Sequence, residues 1–522
     1  MAEQKLALGR IFMVLVILIA VIGGLAYKYI IPKLQESQQA KKYDQASSGG
    51  RFDTNVTVAG DPWSGYSLFR SDRFRTVLSQ LQIGYRYEQE EDLEKRFQGL
   101  VDGKYDFVVA TIDGYTLNAI NLNYPGVIIF LVDESNGGDS VVASSKIQAL
   151  DDLEGAKVSY SAGFPSEHLL DVTLTHFDIL SVKRMPVTKG LSEKSYQMLK
   201  QGQVDAAVVW EPETSRAIQE GYTLLTSTKD SDDIIIDVCI ASRQIVTGNP
   251  QIVQKVTRAY FKTLDYYQKR ESEFVQYLAE DGGADIDEAT AQHILDGIDF
   301  IDLRENHHLW FGIGQTATDK IAKVIEDTIS VQQFHDKLMT DPFASKPGGA
   351  YWIVNKDFLS QLTPSAAPQI KGMPEKEVAP PPVETKRQFA RMKAEEVESK
   401  TQRIGEMRVD PIYFGSGSAK LSQQSKLVVD KFADTFLHYP NYRLILHGYS
   451  SPTGSPQINM DLSRKRAGSI AQYLVRKHNV QGSRINTVAH GDREPLKRDQ
   501  NEAYADWLER NQRTDFVLVK DR

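Results

Sequence analysis

The stretch HGYSSPTGSPQINMDLSRKRA, residues 447–467, decides the fold of the C-terminal part of the chain. The apolar run YRLIL before it predicts a strand, and its second half opens a predicted helix over about Asp461–Lys477. Between the two, Ser450–Pro452 is typical of a turn. A strand that turns directly into an amphipathic helix indicates an α/β unit.

The rest of residues 404–522 continues this α/β pattern. Upstream, PIYF predicts a strand, and the residues from Leu421 to Phe436 show the spacing of a helix with one apolar face. Downstream, RINTVAHG and TDFVLVK predict two more strands, with a short helix near Tyr504–Arg510. We therefore expect a compact βαβ-type domain over residues 404–522.

This C-terminal unit resembles the OmpA-like peptidoglycan-binding domain over nearly its whole length. The family pattern is G-H-T-D-x-x-G, N-x-x-L-S-x-x-R-A, G-x-G-x-x-x-P and N-R-R. The chain matches it in register at Gly448, Gly454, Asn459, Leu462, Ser463, Arg466, Ala467, Gly491, Pro495, Asn511 and Arg513. The resemblance implies an OmpA-like fold and binding to peptidoglycan.

The family's peptidoglycan site is only half retained. In the family, the Asp of the first motif and the Arg of R-A hold the diaminopimelate side chain of the wall peptide. Arg466 and Asn459 are kept, but Ser451 stands at the Asp position and Tyr449 replaces the His. Because a charge-assisted hydrogen bond is roughly twice as strong as a neutral one, wall binding is expected to be weak, altered or lost. The alternative for Arg466 is a helix-surface arginine in a local ion pair.

The central region, residues 52–362, alternates apolar β-branched runs with helix-period stretches. The predicted strands are NVTVAG, DFVVAT, GVIIFLV, AKVSYS, AAVVW and IIIDVCIAS, and the predicted helices include Tyr66–Leu81, Leu93–Val101 and Ser192–Gly202. This alternation indicates βαβ units with mostly parallel sheets covered by helices. Because about 300 residues is too long for one such core, we expect two lobes.

This region resembles type II periplasmic solute-binding proteins of the group that binds taurine, sulfonates, nitrate and the thiamine pyrimidine precursor. The resemblance runs from about Asn55 to Leu338. It rests on the stretches DPWSGYSLF, DFVVATIDGYTL, DLEGAKVSYSAGFPSEHLL and GQVDAAVVWEP in that order. It implies a ligand cleft between two lobes that close by a hinge.

Ligands of open α/β sheets lie beyond the carboxyl ends of the strands. The candidate cleft residues that follow the predicted strands are Trp63, Ser64, Tyr66, Thr111, Asp113, Ser161, Gly163, Ser166, Trp210 and Glu211. Each has a purely structural alternative, such as an N-cap role for Ser166. Free N–H groups near Ser166 would hold an anion. If Asp113 and Glu211 both face the cleft, an amino or ring-nitrogen ligand fits better than sulfonate or nitrate.

The run IFMVLVILIAVIGGLA, residues 11–26, carries no charge and predicts a membrane helix, since about 20 apolar residues span a bilayer. A cleaved secretory signal is the alternative, because Lys5 and Arg10 make a basic start. We expect a cytoplasmic stub and transmembrane helix over residues 1–32 and a polar tether over 33–51. The Pro-rich and charged residues 363–403 predict a linker.

Composition and motif content argue against several classes of function. The net charge of −8 and 41% apolar content are ordinary for soluble domains and argue against nucleic acid as a partner. Cys239 lies in a predicted strand, and the adjacent His307 and His308 do not share a helix face, so neither a reactive thiol nor a metal site is expected. No hydrolase elbow or phosphate-binding loop is present. We therefore expect no enzyme, cofactor or metal.

Both resemblances favour the periplasmic side of the inner membrane. The predicted function is a single-pass, inner-membrane-anchored solute-binding protein that acts as a small-molecule sensor or receptor near the cell wall. Two alternatives are the solute-binding component of an ABC importer and a structural envelope tether with a degenerate cleft. The expected partners are a small solute, the inner membrane, peptidoglycan and a membrane protein complex. The sequence leaves open the solute, the oligomeric state and the signalling or transport partner.

Overall fold

The computed structural model describes residues 52–362 and 389–522, apart from residues 190, 284, 285, 315, 316 and 416. The predicted transmembrane helix and tether, residues 1–51, lie outside the described residues, as does 363–388 of the predicted linker. Within the described part, no helix is both long enough and apolar enough to cross a bilayer.

The strands form three sheets. In chain order they are β1 Asn55–Gly60, β2 Gly84–Gln89, β3 Phe107–Thr111, β4 Gly126–Ser135, β5 Asp139–Ala143, β6 Lys157–Ser161, β7 Lys183–Val187, β8 Ala206–Trp210, β9 Thr223–Ser227, β10 Ile236–Ser242, β11 Ile298–Phe300, β12 Thr401–Glu406, β13 Arg443–Tyr449, β14 Ile485–Gly491 and β15 Thr514–Asp521. All six strands predicted for the central region are present, so the α/β prediction is confirmed there.

Helices cover these sheets. They are α1 Ser67–Arg70, α2 Asp72–Gln80, α3 Leu93–Val101, α4 Ile112–Asn118, α5 Pro165–His176, α6 Leu191–Lys200, α7 Glu213–Gln219, α8 Arg243–Gly248, α9 Pro250–Gln268, α10 Glu271–Gly282, α11 Glu288–Asp296, α12 Leu303–Glu305, α13 Ile321–Phe334, α14 Asp357–Ser360, α15 Ala394–Lys400, α16 Gln423–Leu437, α17 Pro456–His478 and α18 Tyr504–Arg510. The helix predicted over Tyr66–Leu81 is interrupted at Ser71, because the Ser71 hydroxyl accepts a hydrogen bond from the Phe74 amide and starts α2 afresh.

The first lobe is built on a sheet of order β11-β4-β10-β3-β1-β2. Strands β1, β2 and β3 are parallel, and β10 runs antiparallel to both of its neighbours. Strand β10 runs opposite to β3 and β4 because the chain comes back to the first lobe from the second at this point. Its buried thiol, Cys239, lies in the centre of this sheet, and burial raises the pKa of that thiol well above its usual range. This agrees with the predicted structural role of Cys239.

The second lobe is built on a sheet of order β7-β6-β8-β5-β9, in which one strand, β5, runs antiparallel to its neighbours β8 and β9. The chain enters this lobe between β4 and β5 and leaves it between β9 and β10. Two such crossovers between two sheets are the arrangement needed for a cleft that opens and closes by a hinge. The expected two-lobed architecture is therefore present.

The C-terminal domain has a sheet of order β12-β15-β13-β14, covered by α16 and α17. The strand predicted at PIYF is wrong: Phe414 makes only an isolated bridge to Leu421. The edge position goes instead to β12, which pairs with β15 and begins at Thr401, inside the predicted linker. Its short, mostly polar sequence TQRIGE shows little apolar alternation, so the sequence did not mark it as a strand.

The C-terminal domain packs against the second lobe. One hydrophobic core runs through both, and Phe177 of the second lobe contacts Tyr439 with ring centroids 5.6 Å apart. The Asp230 carboxylate accepts a hydrogen bond from Lys520 Nζ at 2.7 Å. The main-chain amide of Asp232, in the segment that returns to the first lobe, donates to the His438 carbonyl at 2.7 Å. The C-terminal domain therefore contacts one of the two crossover segments.

Candidate functional site

A cavity of about 340 Å³ lies between the two lobes. The first lobe borders it with loops after β1, β2 and β3 and with helices α10 and α11, and the second lobe borders it with residues around β5, α5 and β8. Its volume falls in the range of small-molecule pockets. The cavity therefore lies at the carboxyl ends of several strands, as expected for an open α/β sheet.

The loop after β1 is held in place by one partly exposed carboxylate. Asp61 Oδ1 accepts a hydrogen bond from the Trp63 amide at 2.9 Å, and its Oδ2 accepts one from Arg96 at 3.1 Å. Arg96 is fully buried and also donates to the carbonyls of Glu90 and Val109 at 2.8 and 2.7 Å. This network fixes the Trp63 ring at the cavity wall.

Two acidic side chains from different sheets line the cavity. Asp237 of β10 accepts a hydrogen bond from the Tyr66 hydroxyl, and Asp139, the first residue of β5, accepts one from Ser135 Oγ at 2.8 Å. Burial, together with repulsion from Asp133, raises the pKa of Asp237 well above its usual range. Burial likewise raises the pKa of Asp139 to about 7.

The second lobe supplies an aromatic wall. The rings of Phe164 and Trp210 lie 6.3 Å apart, and both border the cavity. Next to Trp210, the Glu211 carboxylate accepts a hydrogen bond from Ser215 Oγ at 3.2 Å and lies 3.3 Å from His293 of the first lobe. The Glu211–His293 contact joins the two lobes across the cavity.

The structure brings together six of the ten predicted cleft residues: Trp63, Ser64, Tyr66, Thr111, Trp210 and Glu211. Asp113 and Gly163 border a separate small pocket between α4 and α5. Ser161 and Ser166 are fully buried and bonded to each other, with the Ser161 amide donating to Ser166 Oγ at 3.0 Å. These last four residues do not border the interlobe cavity.

The anion site considered near Ser166 does not form as expected. Helix α5 begins with Pro165 after an N-cap at Phe164, so Ser166 is not its N-cap. The Gly163 amide donates to Glu167 Oε2 of the same helix at 2.7 Å. A carboxylate of the chain itself thus occupies the place of an anion at this helix start.

Sequence reasoning missed much of the cavity lining. The missed polar residues are Asp61, Glu91, Arg96, Asp139 and Asp237, and the missed apolar ones include Phe164, Leu278 and Ile294. Asp61 directly precedes the Pro62–Trp63 segment and was identifiable by the same strand-end rule. Asp139 starts a strand and Asp237 lies within one, so only the antiparallel direction of β5 and β10 turns them toward the cavity.

The C-terminal domain has a second candidate site around Arg466. This side chain is 2% exposed, donates to the Ser418 carbonyl and to Gln512 Oε1, both at 3.2 Å, and lies over the Phe414 ring. Within residues 389–522 as described, no carboxylate forms an ion pair with it. The alternative of a surface arginine in a local ion pair does not fit this environment.

Ser451 and Asn459 lie together near one acidic residue. Asn459 Nδ2 donates to the carbonyls of Ser451 and Thr453 at 3.3 and 3.0 Å and to Asp492 Oδ2 at 3.1 Å. The retained Asn459 therefore holds the loop that carries Ser451, as a positioning contact. It also links that loop to the carboxylate of Asp492.

Comparisons with known proteins identify two regions. A family model described as NMT1/THI5 like matches residues 87–273, and one described as OmpA family matches residues 413–506. The chain contains an NMT1/THI5-like region and an OmpA-family domain. The OmpA-family match includes Ser451, Asn459, Arg466 and Asp492, whereas the NMT1/THI5-like match includes Arg96, Asp139, Trp210 and Asp237.

Several curated proteins are similar to part of this chain. The peptidoglycan-associated lipoprotein of Rhizobium meliloti (strain 1021) is 29% identical over 87 residues, which is 17% of this chain and 49% of that protein. The peptidoglycan-binding protein ArfA of Mycobacterium tuberculosis is 33% identical over 108 residues, which is 21% of this chain and 32% of that protein. The chain thus spans about half or less of these relatives.

Among solved structures, this chain is similar to the periplasmic aliphatic sulphonate binding protein SsuA from Escherichia coli. The identity is 15% and the TM-score 0.43, with 54% of this chain and 93% of that chain covered.

Proposed function

We propose that this protein binds a small solute between its two lobes while its OmpA-family domain attaches to peptidoglycan. The observation that carries the first half is the interlobe cavity, because aromatic walls and a few polar groups line the same cavity. The buried Arg466, with no acidic partner in the described part of its domain, supports the second half. A guanidinium can hold a carboxylate by donating two parallel hydrogen bonds to it.

The proposal also includes where the protein is located in the cell and what role it has there. The apolar residues 11–26 would hold the chain in the inner membrane with both folded parts in the periplasm. The lobes would then close on a solute near the cell wall. A membrane protein complex would recognise the closed form as a signal. This role requires the open and closed forms to differ in affinity for that complex.

A thermal-shift screen of the full-length chain in detergent micelles tests solute binding. A ligand at 100 times its Kd stabilises the folded state by about 2.7 kcal/mol, which raises Tm by several degrees. We expect a library of envelope metabolites to contain at least one such ligand. Trp63→Ala should remove the shift, whereas Trp507→Ala in the OmpA-family domain should keep it. A library with no effect on wild-type Tm would contradict the proposed function.

Sedimentation of the full-length protein with purified peptidoglycan sacculi tests the wall site. We expect Arg466→Lys to reduce the bound fraction about tenfold, because lysine cannot make the paired hydrogen bonds of a guanidinium. Arg464→Lys on the same helix is the matched control, since the Arg464 side chain is 60% exposed and pairs with Asp461. Equal binding by both variants and wild type would contradict a role for Arg466.

The Ser451 position provides a gain-of-function test in the same assay. Ser451→Asp restores the carboxylate found in the family, and a charge-assisted hydrogen bond exceeds a neutral one by about 1 kcal/mol, or roughly fivefold in affinity. We expect binding to sacculi to increase by about that factor. No increase would mean that position 451 no longer contacts the wall peptide.

A further inference from the structure

The ionisable side chains that border the interlobe cavity are mostly acidic. The lining carboxyl groups are those of Asp61, Glu91, Asp139, Glu211 and Asp237, and Arg96 is the one cation among the described lining residues. Arg96 is already bonded to Asp61 and to two main-chain carbonyls. No lining cation is therefore left to neutralise an anionic ligand.

The rest of the cavity surface is apolar and aromatic. Trp63 borders it from the first lobe, and the paired Phe164 and Trp210 rings border it from the second. The aliphatic side chains of Leu278, Ile294 and others complete the lining. Indole faces attract cations through their ring quadrupole, and this attraction is stronger when water is excluded. Such a surface suits an apolar body that carries positive charge.

Asp139 is a buried carboxyl group of the lining that lacks a counterion in the described part of the chain. It is 4% exposed, and its side chain accepts a hydrogen bond from Ser135 but has no ion pair among the described residues. Burial raises its pKa to about 7; the Ser135 hydrogen bond opposes this, and repulsion from Asp113 and Glu211 adds to it. An arriving cation relieves this repulsion, whereas an anion increases it.

We infer that the solute held in this cavity is an organic cation, namely a protonated amine on an apolar or aromatic body, and not a sulfonate, nitrate or other anion. This inference rests on the proposed function, since it specifies the ligand of the same cavity. The amine would lie between Asp139, Asp237 and Glu211, with its apolar body against the tryptophan rings.

The pH dependence of binding follows from Asp139. An amine with a pKa above 9 keeps its charge between pH 6 and 8, so only the protein titrates. At pH 6 Asp139 is mostly protonated and must lose its proton when the cation binds; at pH 8 it is already ionised. Affinity is therefore expected to rise with pH, by up to about tenfold per unit below pH 7. Asp113, Glu211, His293 and the Ser135 hydroxyl are the titratable and polar groups around this carboxyl group.

Matched ligand series on the full-length protein test this inference. The probes are benzylamine, benzyl alcohol and benzenesulfonate, and the corresponding hexyl and indolyl-ethyl series, compared by thermal shift and calorimetry. We expect only amines to raise Tm, with affinity increasing from pH 6 to 8. Asp139→Asn should reduce amine affinity at least tenfold and flatten the pH dependence, whereas the exposed Glu94→Gln on α3 should leave both unchanged.

Each possible result either supports or overturns the inferred cationic ligand. Binding of the sulfonates in place of the amines overturns the cationic assignment and leaves the proposed function intact. No shift with any series also overturns it, and the proposed function fails only if the metabolite library gives no shift either. Asp139→Asn should in addition raise the Tm of the ligand-free protein at pH 8, because it removes a buried ionised group; a lowered Tm with unchanged amine affinity would assign Asp139 a structural role.

Discussion

Arg96→Met is expected to lower the free energy of unfolding by about 3–5 kcal/mol, because it removes the fully buried partner of an ion pair and the donor to two main-chain carbonyls. Arg96 is fully buried, and its loss leaves the Asp61 carboxylate and the Glu90 and Val109 carbonyls without their donor. Because Asp61 also holds the Trp63 amide, the cavity wall should lose its fixed position. Solute binding should therefore disappear together with the lost stability.

Denaturant unfolding and ligand-induced thermal shifts of the full-length protein measure both effects. Arg86→Met is the matched control, because the Arg86 side chain is 57% exposed and its ion pair with Glu88 is at the surface. An exposed pair contributes about 0–1 kcal/mol, so this variant should unfold almost like wild type. A change for Arg96→Met no larger than that of the control would show that the network does not stabilise the first lobe.

Phe177→Ala is expected to cost about 3–5 kcal/mol and to loosen two domains at once. Phe177 is 2% exposed in the second lobe and packs against Tyr439 of the C-terminal domain. The close approach also involves Gly405 of β12, where an added Cβ would lie 2.9 Å from the Phe177 ring. A cavity at this position removes contacts on both sides of the interface.

Hydrogen exchange measured by mass spectrometry separates the two outcomes. We expect faster exchange in β6 of the second lobe and also in β12 of the C-terminal domain, because one hydrophobic core runs through both. Phe334→Ala is the control, since Phe334 is 55% exposed and its loss should change stability by about 0.5 kcal/mol or less. Faster exchange confined to the second lobe would contradict a shared core.

Agreement between sequence and structure is best where local pattern and tertiary packing coincide. The Leu93–Val101 and Tyr504–Arg510 helices have the predicted bounds, and in the first of them a buried apolar face and the Asp92 N-cap act together. The structure differs from the sequence-based predictions at PIYF and at Ser166. In the first case β12 takes the sheet edge, and in the second the proline at position 165 and the Ser161–Ser166 hydrogen bonds set the local geometry.

The sequence by itself determined the α/β class, the six central strands and the OmpA-family motif, because apolar periodicity and motif spacing are local properties of the chain. It also identified Trp63, which comes soon after β1, and Trp210, which is the last residue of β8. Only the tertiary structure decided that Asp139 and Asp237 line one cavity and that the C-terminal domain shares a core with the second lobe. These depend on strand direction and lobe placement, which arise from contacts between residues that are far apart in the chain.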